Sequence, residues 1–257
     1  MSYSLSNKIA LVTGVTSGIG LATAKVFAAA GARLILVARR KERLDELADE
    51  LKREHKTATH VVELDVRDHG AVERAIAALP SEWREIDILV NNAGLSRGLD
   101  KLWQGKLEDW EEMIDTNVKG LLYMTRQVLP GMVERNRGHV VNLGSTAGHQ
   151  VYPGGNVYCA TKFAERALSD SMKADLLGTA VRVTSVDPGM VETEFSEVRF
   201  RGDREKAATV YKGLAPLKPE DVADAVLWAV TRPAHVNVGT IVMTPTDQAS
   251  SLLIHRR

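Results

Sequence analysis

KIALVTGVTSGIGLATAKVFAAAG, Lys8 to Gly31, decides the fold. Its first residues, KIALVT, form a short apolar run with no alternation, the pattern of a strand buried on both faces of a parallel sheet. The run empties into TGVTSGIG, Thr13 to Gly20, and then into an Ala-rich helical stretch stopped by Gly31. Strand, glycine loop and helix in direct succession make a dinucleotide site. Gly14 permits the tight turn, while Gly18 and Gly20 let backbone approach a pyrophosphate and let the helix pack closely. The first helical N–H groups have no partner within the helix and face the phosphates. Thr16, Ser17 and Ile19 complete the candidate phosphate loop.

Working outward, RLILVAR is a second strand. A carboxylate about 20 residues past the glycine loop would bond an NAD ribose. Ala38 stands in that neighbourhood, followed by Arg39 and Arg40. With no acid to repel a 2′-phosphate and guanidinium groups to grip one, NADP(H) is the expected cofactor. Asp65 and Val66 end a third strand, HVVELDV, where Asp65 meets an adenine amino group or caps the next helix. IDILV is a fourth strand, and its loop NNAG puts Asn92, Ala93 and Gly94 against the cofactor. KLEDWEEMIDTNVKGLLYMTRQVLPGMVERN is a long helical pattern that Pro130 should bend or break. Asn117 interrupts its inward face. VRVTSVDPGMVETEF is a sixth strand whose loop brings Pro188, Gly189, Val191 and Thr193 to the nicotinamide carboxamide. SEVRFRGDREKAATVYKGLAP is polar and weakly periodic, a mobile lid near 190–215. A last helix, PEDVADAVLWAVTR, and a last strand, GTIVMTP, complete a single doubly wound α/β domain over 1–257. Its parallel sheet has seven strands, with ligands expected beyond their carboxyl ends.

The fifth strand, HVVNLGS, ends in Ser145, and thirteen residues later the helix GNVYCATKFAERALSDSMKADL begins with Tyr158 and Lys162. At i and i+4 these two share a face. A free phenol titrates near about 10, and an adjacent cation stabilises the phenolate and pulls that value towards the working range. Ser145 can hold a carbonyl or alcohol oxygen at the same point. This trio suits reversible proton transfer to a carbonyl.

TGVTSGIG, NNAG, Asn117, Ser145, YCATK and DPGMVET, in this order and spacing, resemble the short-chain dehydrogenases/reductases. That resemblance, which spans nearly the whole chain, implies a Rossmann-type fold and a catalytic tetrad of Asn117, Ser145, Tyr158 and Lys162. Tyr158 would be the general acid/base, Ser145 would orient the substrate oxygen, Lys162 would tune Tyr158 and bind the nicotinamide ribose, and Asn117 would hold a relay water. It also implies a homotetramer built on the helices at 107–135 and around Tyr158, and that His149, Gln150 and Val151, which follow Ser145, face the substrate. A narrower resemblance, through TNVKGLLYMTRQVLPGMVERN, GTAVRVTSVDPGMVETEFSEVRFRGD and PAHVN, is to the NADP-dependent 3-hydroxy acid dehydrogenases. These act on serine, allo-threonine, 3-hydroxypropionate and malonic semialdehyde. A carboxylate on such a substrate needs a cation, and Arg199 in the lid is the candidate, with Arg201 as its rival. Glu192, Glu197 and Asp203 are the acids that would otherwise pair with Arg199. Alternatives are a reductase of another small aldehyde or ketone, such as sulfoacetaldehyde, or a dinucleotide sensor without turnover.

Composition narrows the partners. Lys plus Arg and Asp plus Glu are both 33, so the formal net charge is zero, which argues against a nucleic-acid or membrane surface. One cysteine fits a reducing compartment, and MSYSLSNK has no apolar leader, so a cytoplasmic protein is expected. The seven His residues show no paired metal spacing, and no metal is expected. Cys159 lacks a partner base. Trp103 is read as packing or as the rim of the pocket.

Overall fold

The computed structural model describes residues 3–257. Seven parallel strands form one sheet: β1 Ile9–Thr13, β2 Arg33–Ala38, β3 Thr59–Glu63, β4 Ile88–Asn91, β5 Gly138–Leu143, β6 Val181–Pro188 and β7 Thr240–Met243. Their order across the sheet is β3-β2-β1-β4-β5-β6-β7, so the winding reverses between β1 and β4. β1 pairs with β2 through Ile9 opposite Arg33 and with β4 through Ala10 opposite Ile88. All five residues of β1 are buried, as the unbroken apolar run requires.

Helices cover both faces. They are α1 Gly18–Ala29, α2 Lys41–His55, α3 His69–Ala77, α4 Leu107–Ile114, α5 Leu121–Glu134, α6 Asn156–Asp175, α7 Phe195–Arg199, α8 Arg204–Thr209 and α9 Pro219–Val230. One buried layer joins Phe27 of α1 and Val226 of α9 to Val12, Leu34 and Leu36 of the sheet. The other joins Met124, Val128 and Met132 of α5 to Leu11, Leu89 and Val140.

Three local expectations need correction. The long helix does not break at Pro130: α5 runs on to Glu134, with buried Val128 and Met132 on either side fastening it to the sheet. The interruption comes earlier, as a π turn over Asp115–Gly120 that separates α4 from α5 and carries Asn117. Asp65 does not cap α3, because Asp68 accepts from Ala71 N (2.9 Å) and its own carboxylate is taken by Arg67. Trp103 does not border the cavity described below and is 78% exposed, with the Lys101 ammonium over its ring at 5.2 Å and no place in the core. No described helix is long and apolar enough to cross a membrane.

Candidate active site

The glycine loop, β4–loop junction, Ser145, α6 and the segment after β6 converge on one cavity of about 720 Å³ above the carboxyl ends of the strands. Gly14 and Gly18 have φ of +71° and +54°, values that a side chain rarely tolerates. A Cβ on Gly20 would come within 2.3 Å of Asn92 Nδ2 and 2.4 Å of Gly14 O. The loop is therefore folded so tightly that no side chain fits at Gly20, and backbone at Gly14 and Gly18 lies open to the cavity. Asn92 ties it down, donating to Thr13 O (2.8 Å) and Gly14 O (3.2 Å). Ser17, the residue before α1, makes no side-chain cap. The first N–H groups of α1 thus remain available to an anion.

Gly14, Thr16, Ser17, Gly18, Ile19, Arg39, Arg40, Asp65, Val66, Asn92, Ala93, Gly94, Pro188, Gly189, Val191 and Thr193 all line the cavity. Gly20 does not, because it is spent on packing beneath the loop. Arg40 is committed to the loop itself, donating to Thr16 Oγ1 (2.8 Å) and Ser17 Oγ (3.3 Å), with Glu194 Oε2 3.4 Å away. Arg39 is freer, half-exposed, with its nearest acid, Asp65, at 3.9 Å. Although burial works the other way, Arg67 and, more weakly, Arg39 hold the Asp65 carboxyl below the usual carboxylate range.

On the substrate side, Ser145, Tyr158 and Lys162 share the cavity wall. Ser145 begins a single 3₁₀ turn, accepting from Ala147 N (3.1 Å). Tyr158 is buried against Leu95, Met113 and Phe195. Lys162 Nζ donates to Leu143 O (2.6 Å) and Glu165 Oε2 (2.7 Å). Burial pulls the ammonium pKa down, but Glu165, Tyr158 and Asp187 outweigh it and hold it above the ordinary Lys range. Asn117 lies behind the wall and not on it. Its Oδ1 accepts from Leu95 N (2.9 Å), and its Nδ2 donates to Leu95 O (2.8 Å) and Thr161 Oγ1 (3.0 Å). It thereby ties the NNAG loop to the turn of α6 that holds Tyr158.

The segment at 190–215 folds as α7 and α8 and forms one side of the cavity. Arg199 faces inward, its Nη2 donating to the Tyr152 hydroxyl (3.3 Å) and its Nε buried with no partner. None of the three acids weighed against it takes it: Glu192 pairs with Lys218, Glu197 with Arg204, and Asp203 caps α8. Arg201 is bound to Asp109.

Gln150 is exposed and outside the cavity, since the 3₁₀ turn at Thr146–Gly148 rotates it outward; Tyr152 lines the wall two residues later. Tyr152, Phe195, Glu165 and Asp187 were not anticipated at the site, while His149 and Val151, expected to face the substrate, do not line the cavity: His149 turns to Asp187 and Val151 is exposed. Glu165, at i+3 from Lys162, was legible as a neighbour on the helix face. Cys159 is fully buried, and burial pushes its thiol up, away from a reactive thiolate. Among the described residues no group of three His, Cys, Asp or Glu is arranged to hold a metal.

Known proteins carry the same architecture. The NADP-dependent 3-hydroxy acid dehydrogenase YdfG of Salmonella typhi is 54% identical over 250 residues, 96% of this chain and 99% of that protein. Serine 3-dehydrogenase of Agrobacterium fabrum is 45% identical over 239 residues, 93% of this chain and 94% of that one. Among solved structures, the closed form of a serine dehydrogenase complexed with NADP+ superposes with a TM-score of 0.90 at 52% identity, covering 97% of this chain and 100% of the other. The family description "short chain dehydrogenase" matches residues 8–203. With its fold, its glycine loop and its Ser145, Tyr158 and Lys162 on one wall, the chain belongs to the short-chain dehydrogenase family.

Proposed function

We propose that the protein transfers a hydride between NADP(H) and a small 3-hydroxy acid or its 3-oxo counterpart, in the class of serine, allo-threonine and 3-hydroxypropionate. One observation carries this reading. A phenol, a serine hydroxyl and an inward, under-bonded arginine, Arg199, share a cavity with a phosphate-binding glycine loop. The relatives named above, acting on 3-hydroxy acids and serine, support it.

The residues fit the cofactor. Gly14 and Gly18 expose backbone to the pyrophosphate, Arg39 waits at the end of β2 for a 2′-phosphate, and Pro188 to Thr193 flank the nicotinamide end. NADP(H), when bound, supplies or accepts the hydride. Tyr158 passes the proton to or from the substrate oxygen, which Ser145 holds by a hydrogen bond. Lys162 stabilises the phenolate and has one ammonium hydrogen left for the ribose. Asn117 acts from behind as a clamp on the loop and on α6. Arg199 pairs with the substrate carboxylate, and 190–215 moves to admit it. Leu107, Ile114, Leu122, Val133 and Phe163, exposed on α4, α5 and α6 or their junction, support a homotetramer built on those helices. The single buried cysteine supports a cytoplasmic setting.

The test is a substrate panel assayed with NADP and with NAD on wild type and Tyr158→Phe. Serine or 3-hydroxypropionate with NADP should turn over fastest, and Tyr158→Phe should lose about 10²–10⁴-fold in kcat. Preference for neutral alcohols or for sulfoacetaldehyde would move the assignment to the small-aldehyde reductases. A Tyr158→Phe variant keeping more than about a tenth of kcat would place the acid elsewhere.

A further inference from the structure

Beneath the catalytic wall lies a charged cluster that hydride transfer does not require. Glu165, almost fully buried, places Oε2 2.7 Å from Lys162 Nζ and leaves Oε1 without a partner. Asp187 is buried at the end of β6, held by the Ser185 hydroxyl and by His149 Nε2 at 2.5 Å. Gly144 makes room for it, since a Cβ there would sit 2.0 Å from Asp187 Oδ1. Lys162 pairs with Glu165 and also feels Asp187, whose own partners are Ser185 and His149, so a positive charge close to Tyr158 is partly cancelled from behind. Burying an acid so deeply without completing its hydrogen bonds is costly.

We propose that Glu165 is a positioning residue for proton transfer: its carboxylate fixes where the Lys162 ammonium sits and limits how much of its field reaches the Tyr158 phenol. The proposal rests on the reading of Tyr158 and Lys162 given above. Two of the three ammonium hydrogens go to Leu143 O and Glu165, so the third has a defined direction and is the one left for the cavity. Among the described residues, Lys162 and Asp187 are the charges that act on Glu165. Its own helix presents Lys162, β6 presents Asp187, and the turn before α6 presents His149 on the far side of Asp187. Burial, with Asp187 reinforcing it, pushes the Glu165 carboxyl up to about 7 against the pull of Lys162.

The experiment is the pH profile of kcat/KM for NADP-dependent oxidation of serine in wild type, Glu165→Gln and Glu165→Asp. A single charge removed about 10 Å away through protein should move the rising limb towards acid by roughly half to one pH unit in Glu165→Gln. One unit below the wild-type midpoint, the variant should then be about two- to fivefold faster relative to its own plateau. Glu165→Asp should return the midpoint most of the way. Glu165→Met, read in the same way, carries the test should the amide variant not fold. An unmoved midpoint in a folded charge-removing variant overturns the proposal, as does a shift of the same size in Glu165→Asp. The parent reading is judged separately: if Tyr158→Phe is inactive and the Glu165→Gln midpoint stays put, only the role of Glu165 is wrong.

Discussion

The Arg199 guanidinium lies over the Tyr158 ring, its central carbon 5.6 Å from the ring centroid, and over Phe195 at 5.1 Å. An arginine held against aromatic faces keeps its charge with little water around it. Its buried Nε lacks a partner, so it has a bond to give. Arg199→Ala should raise KM for serine or 3-hydroxypropionate by about ten- to a hundredfold, the loss of a charged hydrogen-bonded pair worth roughly 1.5–3 kcal/mol. A neutral alcohol of similar size should change little. Equal losses for both would mean that Arg199 only packs the wall.

Cofactor choice is assigned to Arg39, whose nearest acid is 3.9 Å away, while Arg40 is tied to Thr16 and Ser17. Arg39→Ala should weaken NADP binding by roughly ten- to a hundredfold and leave NAD nearly unchanged. Isothermal titration with each cofactor decides it, and a parallel loss for both would refute the assignment.

His139, at the second position of β5, is fully buried with Nε2 2.8 Å from Thr184 Oγ1 and Nδ1 unpartnered. Burial, helped by Arg182, drives its pKa from the ordinary 6.5 to about 3. The unfolded chain therefore takes up a proton that the folded chain refuses. Stability contributed by the neutral ring is whole above about pH 6.5 and drains as pH falls towards 3, by about 1.4 kcal/mol per unit. Urea midpoints at pH 7, 5 and 4 should fall steeply in wild type and less steeply in His139→Gln. Parallel slopes would count against it.

Leu107, Ile114, Leu122, Val133 and Phe163 are each at least 40% exposed. Light scattering should return the mass of four chains, and Ile114→Asp with Leu122→Asp should lower it. A wild-type monomer would leave those side chains unexplained.

Much of this molecule could be read before it was seen, for reasons that differ by element. Parallel strands buried on both faces are unbroken apolar runs, and five of the loops after them carry glycine, proline or asparagine for backbone reasons. Much of the carboxyl edge of the sheet between Gly14 and Thr193 was thus legible as cavity lining. Gln150 was misplaced because the outward rotation of one 3₁₀ turn leaves no mark in residue type. Asp187 and His149 are 38 residues apart, and their pairing depends on how β6 and the turn before α6 meet. Glu165 sat on the right helix face, yet nothing local says that this face is interior. Pro130 misled because tertiary packing through Val128 and Met132 outweighed a local preference for breaking.

The π turn at Asp115–Gly120 has a consequence for insertions and deletions. A wide turn holds one residue more than regular helix needs over the same length. Deleting Val118 would therefore let α4 and α5 fuse into a smoother, better bonded rod. The flanking helices would keep their phase, because the wide turn already absorbs the extra residue, and the turn itself would be rebuilt, drawing Asn117 off Leu95 and Thr161. The irregularity is a reading-frame marker in three dimensions: the helix would gain from losing it, and the site would lose its alignment.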